Sequence, residues 1–172
     1  MSVIETTNLK YYLSGGAGNT DPNASIGGVI SSTEVADNNL HNLFAKVKWQ
    51  ESEVGSEKYR AIFIKNEHAS LTWEDVVAFI KSQSTSDDTS IEIGVCDEGK
   101  NQAIEVIDDE DTAPDSVVFK SGVGIVNGVS VGDLEKNDYI GIWVKRVVNQ
   151  GASAKGDDTA ELECKGGTTA TV

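Results

Sequence analysis

Basic residues are scarce in this chain: 14 Lys and Arg stand against 28 Asp and Glu, a formal charge of −14. Affinity for nucleic acid comes from Lys and Arg that displace counterions from phosphates, so a field of this sign argues against a nucleic-acid partner. The bases are also dispersed, Lys145 and Arg146 forming the closest group, and no local patch offsets the deficit. No apolar run approaches the roughly 18 residues that a membrane-spanning helix needs. The opening MSVIETTNLKYY has no basic start followed by an apolar stretch, so the expectation is a cytoplasmically made protein that is not exported by that route. Cysteine is limited to Cys96 and Cys164, which in that setting are expected to be reduced structural thiols. Histidine is limited to His41 and His68, and neither lies in a recognisable nucleophile motif. Ser-His-Asp or Cys-His chemistry needs a histidine held beside its nucleophile, so no catalytic site is assigned and the chain is not expected to be an enzyme.

What is present is glycine, 17 residues against two prolines, a composition of many turns and few rigid spacers. A length of 172 residues with 38% hydrophobic content suits one domain with its own core. The stretch SGGAGNTDPNASIGGVISS, residues 14–32, offers turns and little to bury, and predicts an extended, poorly ordered arm. LKYYL before it can pair as a strand, and Leu40, Leu43, Phe44 and Val47 after it fall at helical spacing.

From residue 58 onward the period changes to two. KYRAIFIK alternates as a strand with at least one buried face does, TSIEIGV and TAELECK as half-buried antiparallel strands do, and QAIEVI, SVVFK and YIGIWVKRVV supply three more, separated by Asp, Gly and Asn clusters. SLTWEDVVAFIKS fits two templates. Trp73, Val76, Val77 and Ile80 match a helix, whereas Val, Val, Phe and Ile content and flanking strands favour a strand over Val76 to Lys81, which we assign. In GDLEKNDYIGIWVKR, Tyr139 at the start of a β run has the placement of a tyrosine corner, its hydroxyl tying back to the upstream turn, and Trp143 is large enough to fill the space between two sheets. The fold expected is all-β, an antiparallel β-sandwich, immunoglobulin-like or jelly-roll-like, with an extended N-terminal arm. Its parts are residues 1–39 (strand and arm), 40–167 (sandwich) and 168–172 (tail), with Phe63, Ile91, Ile93, Tyr139, Trp143 and Leu162 as core.

The acidic groups Asp87-Asp88, Asp97-Glu98, Asp108 to Asp111 and Asp157-Asp158 follow no EF-hand spacing and read as solvated loop charge. No metal or cofactor is assigned. IDDEDTAPD is the place a divalent ion would choose, since successive acids repel unless screened.

Three segments, YYLSGGAGNTDPNASIGGVISS, KYRAIFIKN and GDLEKNDYIGIWVKRVVNQGASA, together resemble structural proteins of tailed bacteriophages. The resemblance implies a virion component, most simply a capsid decoration or cement protein on the outer surface. Its partners would be the major capsid protein or other virion proteins, with self-association into dimers or trimers. A neck, tail or baseplate protein is the alternative. Another is a carbohydrate- or receptor-binding module stacking sugars on Trp49 or Trp73. Pairing of the arm with a capsid strand assigns partner contact to Leu9, Tyr11, Tyr12, Leu13, Asn23 and Ile26.

Overall fold

The computed structural model describes residues 6–169; residues 1–5 of the N-terminal segment and 170–172 of the tail lie outside the described residues. Seven strands, β1 (Leu9–Leu13), β2 (Ser56–Asn66), β3 (Thr72–Ser82), β4 (Thr89–Val95), β5 (Val129–Leu134), β6 (Tyr139–Val148) and β7 (Glu161–Thr169), build two antiparallel sheets. Their orders are β1-β2-β6-β4 and β5-β3-β7. The chain is an all-β sandwich with one short helix, α1 (Trp49–Val54).

The four-stranded sheet is covered on both faces. One face meets the second sheet: the Tyr11 phenol of β1 reaches the Cys164 thiol of β7, and by cross-strand register Ile62, Ile64, Ile140, Ile142 and Val144 share that side. The opposite face carries Tyr59, Ala61, Phe63 and Trp143, and lies under the chain between β4 and β5. Two glycines make that cover close. A Cβ on Gly141 would meet Ile104 Cγ2 at 2.6 Å, and one on Gly94 would meet Val117 Cγ1 at 2.4 Å. Burial on both faces accounts for the continuous burial of β2 from Tyr59 to Ile64, in line with the expectation of at least one buried face.

β3 is a strand, and its helix-like spacing has a physical cause. The pairing of β3 with both neighbours shifts between Trp73 and Val77, with Asp75 at φ 50°. A bulge there changes the parity, so Trp73, Val76, Ala78 and Ile80 are all buried. Spacing of three, then two, then two imitates a helical face.

Several expectations are corrected. Leu40 to Val47 are not helical, with a turn at 40–41 and bends at 42–44, and the helix begins at Trp49, with the Glu51 carboxylate accepting from the Lys48 N–H in the first turn. QAIEVI and SVVFK are not strands. Each makes an isolated bridge, Ile104 to Gly28 and Lys120 to Ile93. The tyrosine-corner role passes to Asn66: its buried Nδ2 donates to Leu71 O and Leu134 O, each at 2.9 Å, and its Oδ1 accepts from His68 N at 2.9 Å. Tyr139 instead donates its hydroxyl to Asn101 O at 3.3 Å, away from the upstream turn. Trp143 is in the core but on the far side of the sheet from the inter-sheet space.

Candidate functional site

The N-terminal segment, the first candidate for partner contact, is folded into the domain. β1 is an edge strand, and residues 31–35 run along its outer side: Ser31 N donates to Leu13 O, Leu13 N to Thr33 O, and Val35 N to Tyr11 O. The loop between is held by its own polar side chains. Ser14 and Ser25 are buried and hydrogen-bonded to one another's backbone or hydroxyl, Asn19 Nδ2 donates to Ser14 O, and Ser31 Oγ donates to Asn19 O. Serine and asparagine, which suggested disorder by composition, supply the donors and acceptors that fix it. Of the residues assigned to partner contact, Tyr12 and Leu13 are buried, Leu9, Tyr11 and Ile26 pack partly buried against the core, and only Asn23 is exposed. Phe63, Ile93 and Trp143 are buried, while Ile91, Tyr139 and Leu162 are partly buried against that core.

Sequence reasoning missed an ionic clasp. Arg60 on β2, 1% exposed, is engaged by Glu110 from the loop after β4, and the same carboxylate receives Lys58. Lys58 also lies 3.3 Å from Asp111 and 3.5 Å from Glu51, and Glu51 of α1 lies 3.2 Å from Arg146 on β6. Both guanidinium groups approach the Phe44 ring, Arg60 at 5.6 Å and Arg146 at 5.1 Å from its centroid. Three cations thus meet three carboxylates. Burial disfavours ionisation of Glu110, but hydrogen bonds from Lys58 and Arg60 outweigh it and hold the carboxyl below its ordinary range. Of the acidic run read as solvated charge, Glu110 and Asp111 are thus paired with protein cations, while Asp108 and Asp109 are exposed. Lys58 and Arg146 are register partners on neighbouring strands, and only their like charge side by side signalled in advance that carboxylates had to arrive from elsewhere.

Asp158 makes a second anchor. Its carboxylate accepts from Ser84 Oγ at 2.6 Å, Ser86 N at 3.0 Å, Thr85 Oγ1 at 3.2 Å and Thr89 Oγ1, tying the β3–β4 turn to the chain entering β7. Burial opposes its ionisation, and these donors more than compensate, so its pKa is lowered. A depressed folded-state pKa contributes stability above the unfolded value, about 3.9, and that contribution is lost as pH falls through the folded value. Asp158→Asn is expected to cost about 1–2 kcal/mol at pH 7. Urea unfolding of both proteins should show the difference shrinking below about pH 4, and a difference that stays constant into acid would refute the assignment.

His68 is used structurally and the two cysteines are buried, whereas His41 lies at the surface. His68 is buried, its Nδ1 accepting from Ser70 N at 3.1 Å and Leu71 N at 3.0 Å, and His41 is exposed at φ 59°. Both cysteines are buried free thiols; burial pushes the Cys164 thiol up to about 12 and raises that of Cys96, which leaves little thiolate at neutral pH. Among the described residues no group of three or more His, Cys, Asp or Glu side chains converges as a metal site.

Exposed apolar side chains cluster in sequence before β5, at Val118, Val123, Ile125 and Val126. Trp49 on α1 is 67% exposed, whereas Trp73 is 3% exposed. No protein-family model, curated protein or solved structure matches the chain. Fold and surface together define an antiparallel β-sandwich with its long loops fastened to one sheet.

Proposed function

We propose that the chain is a structural component of a tailed-phage virion, a capsid decoration protein that binds the outer surface of the capsid lattice and stabilises it. The observation that carries the proposal is where the three phage-like segments fall. They are separated in sequence, yet they supply β1 with its covering loop, β2, and β6 with the turn before it, which are consecutive neighbours in one sheet. The resemblance therefore describes one contiguous structural unit. The loops pinned to that sheet and the charge of −14 add support, since an acidic module suits a site away from packaged DNA. Repetition over a symmetric shell makes weak individual contacts large in sum.

The experiment is a copy count on purified particles, combined with their heat tolerance with and without the protein. Many copies and a shell that opens at lower temperature without them are expected. About a dozen copies or fewer, as a single ring would hold, or unchanged tolerance, would transfer the protein to the neck or tail. Exposed Trp49 favours one second reading, a sugar-binding module, because an indole platform open to solvent stacks on sugar rings. Glycan binding abolished by Trp49→Ala in a still-folded protein would select it.

A further inference from the structure

We propose that Asn127 deamidates spontaneously in the folded protein, its side-chain amide attacked by the Gly128 backbone nitrogen once the turn around them opens locally. Asn127 is the one asparagine followed by glycine, so only there is the attacking nitrogen free of crowding by the next side chain. It is exposed, at the end of a single 3-10 turn, Ile125–Asn127, just before β5. The Gly128 nitrogen bonds to Asn127 Cγ and gives up its proton, the Cγ–Nδ2 bond breaks, and ammonia leaves with that proton. Water then opens the resulting succinimide at either carbonyl, leaving aspartate or isoaspartate in place of the asparagine. The product puts a carboxylate into residues 121–132, a run with no charged side chain.

The geometry keeps the opening local. The turn is anchored on both sides: Gly124 N donates to Ile80 O of β3 at 2.9 Å, and Gly128 O accepts from Lys120 Nζ at 2.7 Å. Gly128 is buried, and a Cβ there would meet Val77 Cγ1 at 2.5 Å and Ala78 O at 2.6 Å, so it is seated on β3. Little is buried between the anchors, Ile125 being 45% and Val126 89% exposed. Two hydrogen bonds restrain the reacting groups, Gly128 N to Ile125 O at 3.1 Å and Asn127 Nδ2 to Val123 O at 2.8 Å. Each contributes modestly in net terms, so breaking both slows the reaction by about ten- to a hundred-fold. Reaching the same atoms by unfolding the whole domain would slow it by about a thousand-fold or more.

This goes beyond the virion proposal and stands or falls without it. The full chain is held at mildly alkaline pH, native and urea-unfolded, and sampled over time by mass spectrometry. Trypsin releases residues 121–136, in which Asn127 is the only amide side chain. The expected result is an amide-to-acid mass gain in that peptide, split between two products of different retention, with the native chain slower than the unfolded one by no more than about a hundred-fold. Trp143→Ala weakens the whole domain, yet should leave the native rate within about ten-fold, because the turn opens without the core. A native rate slowed beyond about a hundred-fold, acceleration by Trp143→Ala beyond about ten-fold, or a native chain that converts first at another asparagine overturns the proposal.

Discussion

Trp143→Ala is expected to destabilise the fold by about 3–5 kcal/mol, the range for deleting a large aromatic from a close-packed interior. The indole is 1% exposed. Its cross-strand neighbours are Ala61 on β2 and Gly94 on β4, two small residues that leave the space it fills. Because Val117 already lies against Gly94, and backbone hydrogen bonds tie Ile104 to Gly28 and Lys120 to Ile93, the covering loop cannot collapse fully into the vacated volume, which puts the cost at the upper end. Urea unfolding with an unchanged slope measures it. The loop over this face should also loosen, seen as faster hydrogen exchange at Ile104 and Ile107, both buried in the cover. A variant that keeps its stability would show that the loop layer, not the indole, fills this face.

The strands that were legible in the sequence are those with one decisive pattern. β4 and β7 alternate, and β6 is a long β-branched and aromatic run that could be little else. β5, VSVGDL, was missed because Gly132 at φ 82° sits within it opposite Val76, where the register shifts. Glycine there is a bulge device, and on sequence it looks like a turn. QAIEVI and SVVFK failed the other way: both have strand composition, but they lie flat over a sheet as cover, and their apolar residues serve a face instead of a ladder. The arm shows the limit of composition as a guide. Ser14, Ser25, Asn19 and Ser31 bond to backbone up to 13 residues away, and no local rule anticipates which of them will meet.

Glu110→Ala should cost about 3–5 kcal/mol, because it leaves the buried Arg60 guanidinium without its carboxylate. Among the described residues Arg60 then keeps hydrogen bonds to Tyr59 O at 3.0 Å and Asn23 Oδ1 at 3.5 Å and its contact with the Phe44 ring, none of which carries charge. Two features raise the cost. Glu110 O accepts from Tyr59 N at 2.8 Å, so a loop drawn away by its unpaired neighbour also gives up a backbone hydrogen bond to β2. Lys58 loses one of its three carboxylates, keeping Glu51 and Asp111. Removing both ends of the pair is expected to be far milder, since no buried charge is then stranded. Arg60→Met with Glu110→Gln should therefore be more stable than Glu110→Ala, and a double-mutant cycle over these positions should give a coupling of about 2 kcal/mol or more. Salt distinguishes this clasp from surface pairs: the loss in Glu110→Ala should persist at about 1 M salt, where exposed pairs are screened. A single variant within about 1 kcal/mol of wild type, or a double variant no better than the single, would mean that the backbone bond and Phe44 hold the loop and that the charges are incidental.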